Sequence, residues 1–271
     1  MTEPHETAER SHRRWVSPAF ANAVAQQSLF SPEKLRGVFA KATDARGRAQ
    51  TAVVELPGQP QRLHLRSVRH GGLLGALWRG TLWGAERPMM ELAANQKLLA
   101  AGTPVPEPAL VVCWRVLGPF FRAVVGTVHV EHSIDGVALL DDSPSNERIL
   151  RAASAAGRAT RRFHDAGGRH ADLHVKNLLF REHDASTEAW IIDLDKARVT
   201  PTPAVSRRMS ELMRLYRSLV KRGYAQQVGR RGVARFLSAY QGGDRSLRAA
   251  MRARLPREKA LLAVHALTYR R

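Results

Sequence analysis

The stretch that most constrains this chain is "HADLHVKNLLF", residues 170–180, taken with "IIDLD", residues 191–195. It sets Asp172 two residues after His170 and Asn177 five residues after Asp172, directly before an apolar run. Asp193 then closes a second apolar run. If Leu178–Phe180 and Glu188–Asp195 pair as a hairpin, Asp193 returns beside the loop that carries Asp172 and Asn177. Three oxygen donors then converge. A phosphoryl transfer needs such a set: oxygen ligands for a hard Mg²⁺ ion, a polar group to orient the attacking hydroxyl, and cations against the phosphates.

The flanking pattern fits two lobes. Residues 1–30 show no clear period and read as a tail or a loose first helix. From about 36 to 70 the pattern is strand-like, with "TAVVEL" and "QRLHLRSV" around the turn "PGQP". "GAERPMMELAANQKLLAAG" reads as a helix in which Met90, Ala94, Lys97 and Leu98 fall near helical spacing, stopped by Gly102 and Pro104. Strands punctuated by prolines follow to about residue 132. A helix then opens with Ser143 as cap and Pro144 at its first position, and ends at Gly167 and Gly168. "AVSRRMSELMRLYRSLVKRG" is amphipathic, with Met209, Leu212, Met213, Tyr216, Leu219 and Val220 on one face. Strands first and helices second argue an α+β fold with a junction near Glu131–Gly136.

The chain has 271 residues, enough for one large domain or two lobes. It has one cysteine, Cys113, which excludes an intrachain disulfide and a cysteine metal cluster and fits a reducing compartment. The N-terminus lacks a secretory apolar segment, and no run is long and apolar enough to span a membrane. Lys plus Arg number 43 against 24 Asp plus Glu, a net charge of +19. From Arg198 onward 18 basic residues face three acidic ones, Glu211, Asp244 and Glu258. Such an excess points either to an anionic partner or to arginine used as a generic surface residue.

The loop resembles the H-R-D-x-x-x-x-N catalytic loop of the protein-kinase-like superfamily, with Ala171 in the arginine position, and "IIDLD" resembles the metal-binding D-F-G segment. "RHGGLLGALWRG", "GTPVPEP", "RRFHDAGGRHADLHVKNLLF" and "WIIDLDKAR" together are similar to the 3-deoxy-D-manno-octulosonic acid (Kdo) kinase family, over about residues 45–220. The resemblance implies a bilobal kinase-like fold: a tail over 1–30, a strand-rich nucleotide-binding N-lobe with one helix over 31–132, and a mostly helical C-lobe over 133–271. The C-lobe would hold the catalytic loop, the metal site and the acceptor.

The resemblance implies that Asp172 orients and deprotonates the acceptor hydroxyl and that Asn177 and Asp193 bind Mg²⁺. His170 braces the loop, and His164 packs against it. Arg66 stands at the position of the strand-three lysine and contacts ATP phosphates; Glu91 pairs with it; Glu131 lies at the hinge that meets adenine. The glycine-rich loop departs from the pattern: "DARGRAQTAVV" offers Gly47 alone. Ala171 for arginine implies an enzyme not governed by activation-loop phosphorylation.

Around these residues the reading leaves choices open. His174 and Lys176 face solvent or substrate. Asp195 joins the metal site or caps the next segment. Arg69 and His70 before Gly71–Gly72 form an anion-binding corner or an ordinary turn. Trp78 and Trp83 pack in the core or dock at a membrane interface.

The implied function is ATP-dependent phosphorylation of the 4-hydroxyl of Kdo in Kdo-lipid A, on the cytoplasmic face of the inner membrane, with peripheral contact to its anionic surface. Within the same fold the alternatives are a core heptose kinase or another small-molecule kinase. A cationic aminoglycoside fits poorly with +19. A pseudokinase-like module binding membrane or nucleic acid is the reading of a different class. The intact Asp172, Asn177 and Asp193 argue against it, and no stacking stripe supports nucleic acid.

Overall fold

The computed structural model describes residues 7–9, 12–41, 50–68 and 80–268. Gly47, Arg69, His70, Gly71, Gly72 and Trp78 lie outside them. The chain divides into two compact units: residues 1–96 with 106–130, and 97–105 with 131–271.

The first unit is built on one mixed-length antiparallel sheet. Its strands are β1 (Thr7–Glu9), β2 (His12–Val16), β3 (Thr51–Val54), β4 (Leu63–Val68), β5 (Leu82–Trp83), β6 (Pro108–Leu117) and β7 (Phe120–Val128). Their order is β1-β2-β6-β7-β4-β3, with β5 also on β7. Strand β6 is buried on both faces, and its alternation sorts the core. Leu110, Val112 and Trp114 join one cluster with Phe20, Leu35 and Phe39, while Val111 and Cys113 join another with Leu82, Leu92 and Phe121. Helices α1 (Ala21–Gln26) and α2 (Pro32–Lys41) supply the first cover, and α3 (Glu86–Ala100) the second.

Residues 1–30, expected as a tail or a loose first helix, hold the helix α1 and also strand β2, and α2 adds a helix to the strand-rich lobe beyond the one expected. His12–Val16 pairs with β6, Val16 opposite Leu110, and is as much a part of the sheet as any later strand. Its pieces are too short to show a period. Helix α2 replaces the strand expected from residue 36. Its signals are in the sequence: Ser31 Oγ accepts the Lys34 amide, Pro32 opens the helix, and Leu35, Val38 and Phe39 follow at helical spacing.

In the second unit, β8 (Ser133–Asp135), β10 (Leu178–Glu182) and β11 (Thr187–Ile191) form a small sheet in the order β11-β10-β8, and β9 (Gly168–His170) pairs with β12 (Ala197–Val199). The helices are α4 (Gly136–Asp141), α5 (Asn146–Asp165), α6 (Val205–Lys221), α7 (Ala225–Gln241) and α8 (Arg245–Thr268). The cap of α5 is Ser145, whose Oγ accepts the Arg148 amide, and not Ser143, which sits at positive φ. The helix stops at Gly167, φ 82°, where a Cβ would lie 2.1 Å from the Thr200 carbonyl oxygen. Small residues on α5 let α7 approach closely: a Cβ on Gly157 would meet the Phe236 carbonyl at 2.4 Å. On α6 the buried side runs through Arg208, Met209, Glu211, Leu212 and Leu215, and Val220 is exposed, so two charged residues lie where an apolar stripe was expected.

Residues Lys97–Val105 belong to the second unit rather than to the first, against the expected boundary. Leu98 and Val105 enter its core, and the Ile191 amide donates to the Pro104 carbonyl at 2.9 Å.

Burial, with like charge from His129 and Arg66, pushes the pKa of His64 on β4 down from 6.5 to about 4. The unfolded chain takes up that proton first. Stability present above pH 6.5 is therefore lost as pH falls toward 4. Thermal unfolding across this window should show a falling Tm, and His64→Gln should flatten part of the slope. An unchanged slope would remove His64 as its source.

Candidate active site

The loop between β9 and β10 is held by an imidazole. His170 is fully buried, and its two ring nitrogens meet opposite needs: Nε2–H donates to the Ile192 carbonyl at 3.2 Å, and Nδ1 accepts the Asp172 amide at 3.2 Å. Burial pushes its pKa down, which favours the neutral ring that can do both. Asp172 and Ile192 are thereby tied to one side chain.

The hairpin completes the convergence. Leu178 pairs with Ile191, and the Ile192 amide donates to the Asn177 carbonyl at 3.0 Å. Asn177 is buried in a single 3-10 turn, Val175–Asn177. Its Nδ2 donates to the Asp172 carbonyl at 3.0 Å, so the amide's other end, Oδ1, is the atom outside that bond. Asp193 lies one residue past Ile192 in left-handed backbone, φ 59° and ψ 62°, a region that Asp tolerates better than most residues. It precedes the turn Leu194–Lys196, in which Asp195 lies. The arrangement brings Asp172, Asn177 and Asp193 to one end of the β10–β11 hairpin.

His174 is half-buried. Its Nδ1 has no hydrogen-bond partner, and burial lowers its pKa, so it does not face open solvent as Lys176 does. Glu131 opens the longer segment of the second unit, directly after Val130.

In the first unit Arg66 on β4 and Glu91 on α3 form an ion pair at 2.5 Å, with side chains 16% and 6% exposed. Met90, read at helical spacing with Ala94 and Leu98, is exposed, and Glu91 is turned inward with Leu92, Asn95 and Leu98.

Three contributors were missed. Glu211 on α6 accepts the His170 amide at 2.8 Å and lies 3.3 Å from His164 Nε2. Tyr240 Oη lies 2.7 Å from His164 Nδ1, and burial pushes this phenol up to about 12 and keeps it a donor. Lys196 Nζ lies 3.8 Å from Asp172 Oδ2. The signal for Glu211 was available: it is one of only three carboxylates in a very basic segment. A cavity of about 880 Å³ among α5, α6, α7 and α8 lies behind the loop. Val175 and Leu178 line it, but Asp172, Asn177 and Asp193 do not, so it is separate from this site.

Sheet-rich first unit, helical second unit and a His–Asp–Asn loop before a strand pair define a protein-kinase-like phosphotransferase. The solved structure of WaaP in complex with acyl carrier protein shares this fold, with TM-score 0.56 and 20% identity over 91% of this chain and 99% of that one. Residues 35–240 match the model of the lipopolysaccharide kinase (Kdo/WaaP) family. The 3-deoxy-D-manno-octulosonic acid kinase of Xanthomonas euvesicatoria pv. vesicatoria is 34% identical over 203 residues, 73% of this chain and 76% of that protein. Its namesake from Vibrio cholerae is 33% identical over 202 residues, 72% and 78%. The chain belongs to the lipopolysaccharide kinase (Kdo/WaaP) family, and it is an ATP-dependent kinase. The match reaches Tyr240, twenty residues beyond the extent read from motifs, and so takes in α7.

Replacing Glu211 with Ala strands two buried donors, the His170 amide and the His164 ring. At about 1–3 kcal/mol for each stranded donor, the urea midpoint should fall by an amount worth about 3 kcal/mol. A change under about 1 kcal/mol would mean that solvent replaces the carboxylate.

Proposed function

We propose that the protein transfers the γ-phosphoryl group of ATP to the 4-hydroxyl of Kdo in Kdo-lipid A, at the cytoplasmic face of the inner membrane. The observation that carries this reading is the loop clamped by His170, with Asp172, Asn177 and Asp193 at one hairpin end. The kinship with proteins named Kdo kinases supports the acceptor over a core heptose. Among the described residues no helix is long and apolar enough to cross a membrane, and the net charge of +19 suits a peripheral contact with an anionic surface.

The first unit is the nucleotide-binding part and the second the catalytic and acceptor-binding part. Arg66, oriented by Glu91, contacts phosphate oxygens, and Glu131 meets adenine; Gly47, which lies outside the described residues, is the one glycine the sequence offers for a nucleotide loop. Asn177 and Asp193 hold Mg²⁺. The donor set suits that ion: one carboxylate and one amide oxygen leave the remaining positions to phosphates and water, as Mg²⁺ prefers. Among the described residues no group of three His, Cys, Asp or Glu side chains forms a closed cage. When bound, the ion spreads the charge of the phosphates. Asp172 accepts the proton of the Kdo hydroxyl as its oxygen bonds to the γ-phosphorus. The bond from that phosphorus to the β–γ bridging oxygen breaks, and ADP leaves. Lys196 beside Asp172 offers a cation at the same place.

Incubation with ATP, Mg²⁺ and Kdo-lipid A should add one phosphate by mass spectrometry, at the 4-position by NMR. Asp172→Asn should lower kcat by at least about 10²-fold, the usual scale for losing a positioned base. Phosphate appearing only on heptose-bearing acceptors would reassign the substrate. Equal rates in wild type and Asp172→Asn would remove the mechanism.

A further inference from the structure

The β6–β7 hairpin ends in apolar side chains that stand exposed. Strand β2 pairs with β6 only as far as Trp114, opposite His12. Beyond that point the hairpin runs on through a register irregularity between Arg115 and Leu117 and turns at Gly118, φ 53°. Val116 is 49% exposed and Leu117 76%, and Trp83, beside them on β5, is 69% exposed. Trp83 was expected either in the core or at a membrane interface, and its exposure excludes the core. Its ring meets Phe120 edge-on at 5.6 Å, with Trp83 and Phe120 paired across β5 and β7. Single exposed apolar residues are ordinary, but three near one tip, Trp83, Val116 and Leu117, are not.

The charge around the tip selects the partner. From Pro108 to Val128 the chain has two arginines, Arg115 and Arg122, and no carboxylate. Arg115 stacks on Phe121 at 5.4 Å, just inside the tip. Glu86, the nearest acid after Trp83, is engaged by Arg13 at 3.3 Å. A rigid apolar tip with Trp at its margin and arginine behind it is the pattern of an interfacial anchor, the rings at headgroup depth and the guanidinium groups at the phosphates.

We propose that the β6–β7 tip, with Trp83, inserts into the headgroup region of an anionic lipid bilayer and is the specific anchor of this protein. This deepens the peripheral placement put forward above and rests on it for the identity of the bilayer. The apolar residues supply depth, while Arg115 and Arg122 make the insertion selective for anionic lipid.

Full-length protein is floated with vesicles of phosphatidylcholine alone or with about one-third phosphatidylglycerol, at low and high salt. Wild type should float with the anionic vesicles. The double variant Trp83→Ser/Leu117→Asp should bind at least about tenfold more weakly. Its urea midpoint should match wild type, because both side chains are exposed. A Leu117→Cys protein carrying an environment-sensitive fluorophore should shift to the blue on binding; Cys113 does not compete, being buried with its thiol pushed up to about 12. Equal floating of variant and wild type, no shift at position 117 in bound protein, or no floating of wild type on either vesicle each overturns the proposal. Activity on detergent-dispersed acceptor separates the two readings. Its absence in wild type counts against the kinase substrate and leaves the anchor standing. Its retention in a variant that no longer floats supports the anchor.

Discussion

A neutral imidazole is the joint on which the candidate site turns. His170 links the amide of the proposed base, Asp172, to the carbonyl of Ile192, one residue before the proposed metal ligand Asp193. Only one tautomer satisfies both, and full burial keeps it. The backbone of the same histidine is fixed in turn by Glu211. Glu211 also faces His164, and His164 faces Tyr240. Helices α5, α6 and α7 thus reach the loop through a chain of hydrogen bonds that contains no exposed member. Such a network holds geometry because each buried group left unmatched is costly.

The first unit has a counterpart in the Arg66–Glu91 pair. Burying two charges costs more than their attraction returns unless the geometry is good, so the pair is poor evidence of stability for its own sake. What it does is fix a guanidinium on the sheet with its stem in the strand and its charge oriented from α3. A guanidinium keeps its charge under burial and offers a planar fork, two properties that suit the contact with phosphate oxygens proposed for it.

The placement of the candidate site was legible where it is local. Asp172, Asn177 and Asp193 are tied by the period of two strands, and a hairpin register follows from their spacing. Helix α5 was legible to within two residues because Gly167 must take a left-handed turn. The partner of Glu211 was not, since the amide it holds lies 41 residues away and spacing carries no information over that distance; only its rarity as a carboxylate in a basic segment marked it. Glu91 was read as a pair for Arg66 by resemblance, whereas helical spacing singled out Met90. A buried ion pair and a hydrophobic stripe occupy the same face of α3, and periodicity counts only the second. Short segments hid the N-terminal strands, and the cap at Ser31 was passed over for a strand-like pattern downstream.

The basic excess divides into two parts once the contacts are known. Some of the arginines after residue 198 are structural: Arg208 is buried, binds Asp165 at 2.7 Å and reaches the Pro203 carbonyl, and Arg254 pairs with Glu258 at 3.2 Å. Earlier in the chain, Arg148 draws Asp142 and Glu182 together. These charges are matched and say little about partners. What remains is a long-range positive field that raises the concentration of any anion near the protein and chooses no contact point. A contact point needs surface that water does not favour, and the β6–β7 tip has it. In the proposed anchoring, field and tip therefore do different work: the first brings the chain to an anionic surface, and the second decides which side of the first unit meets it.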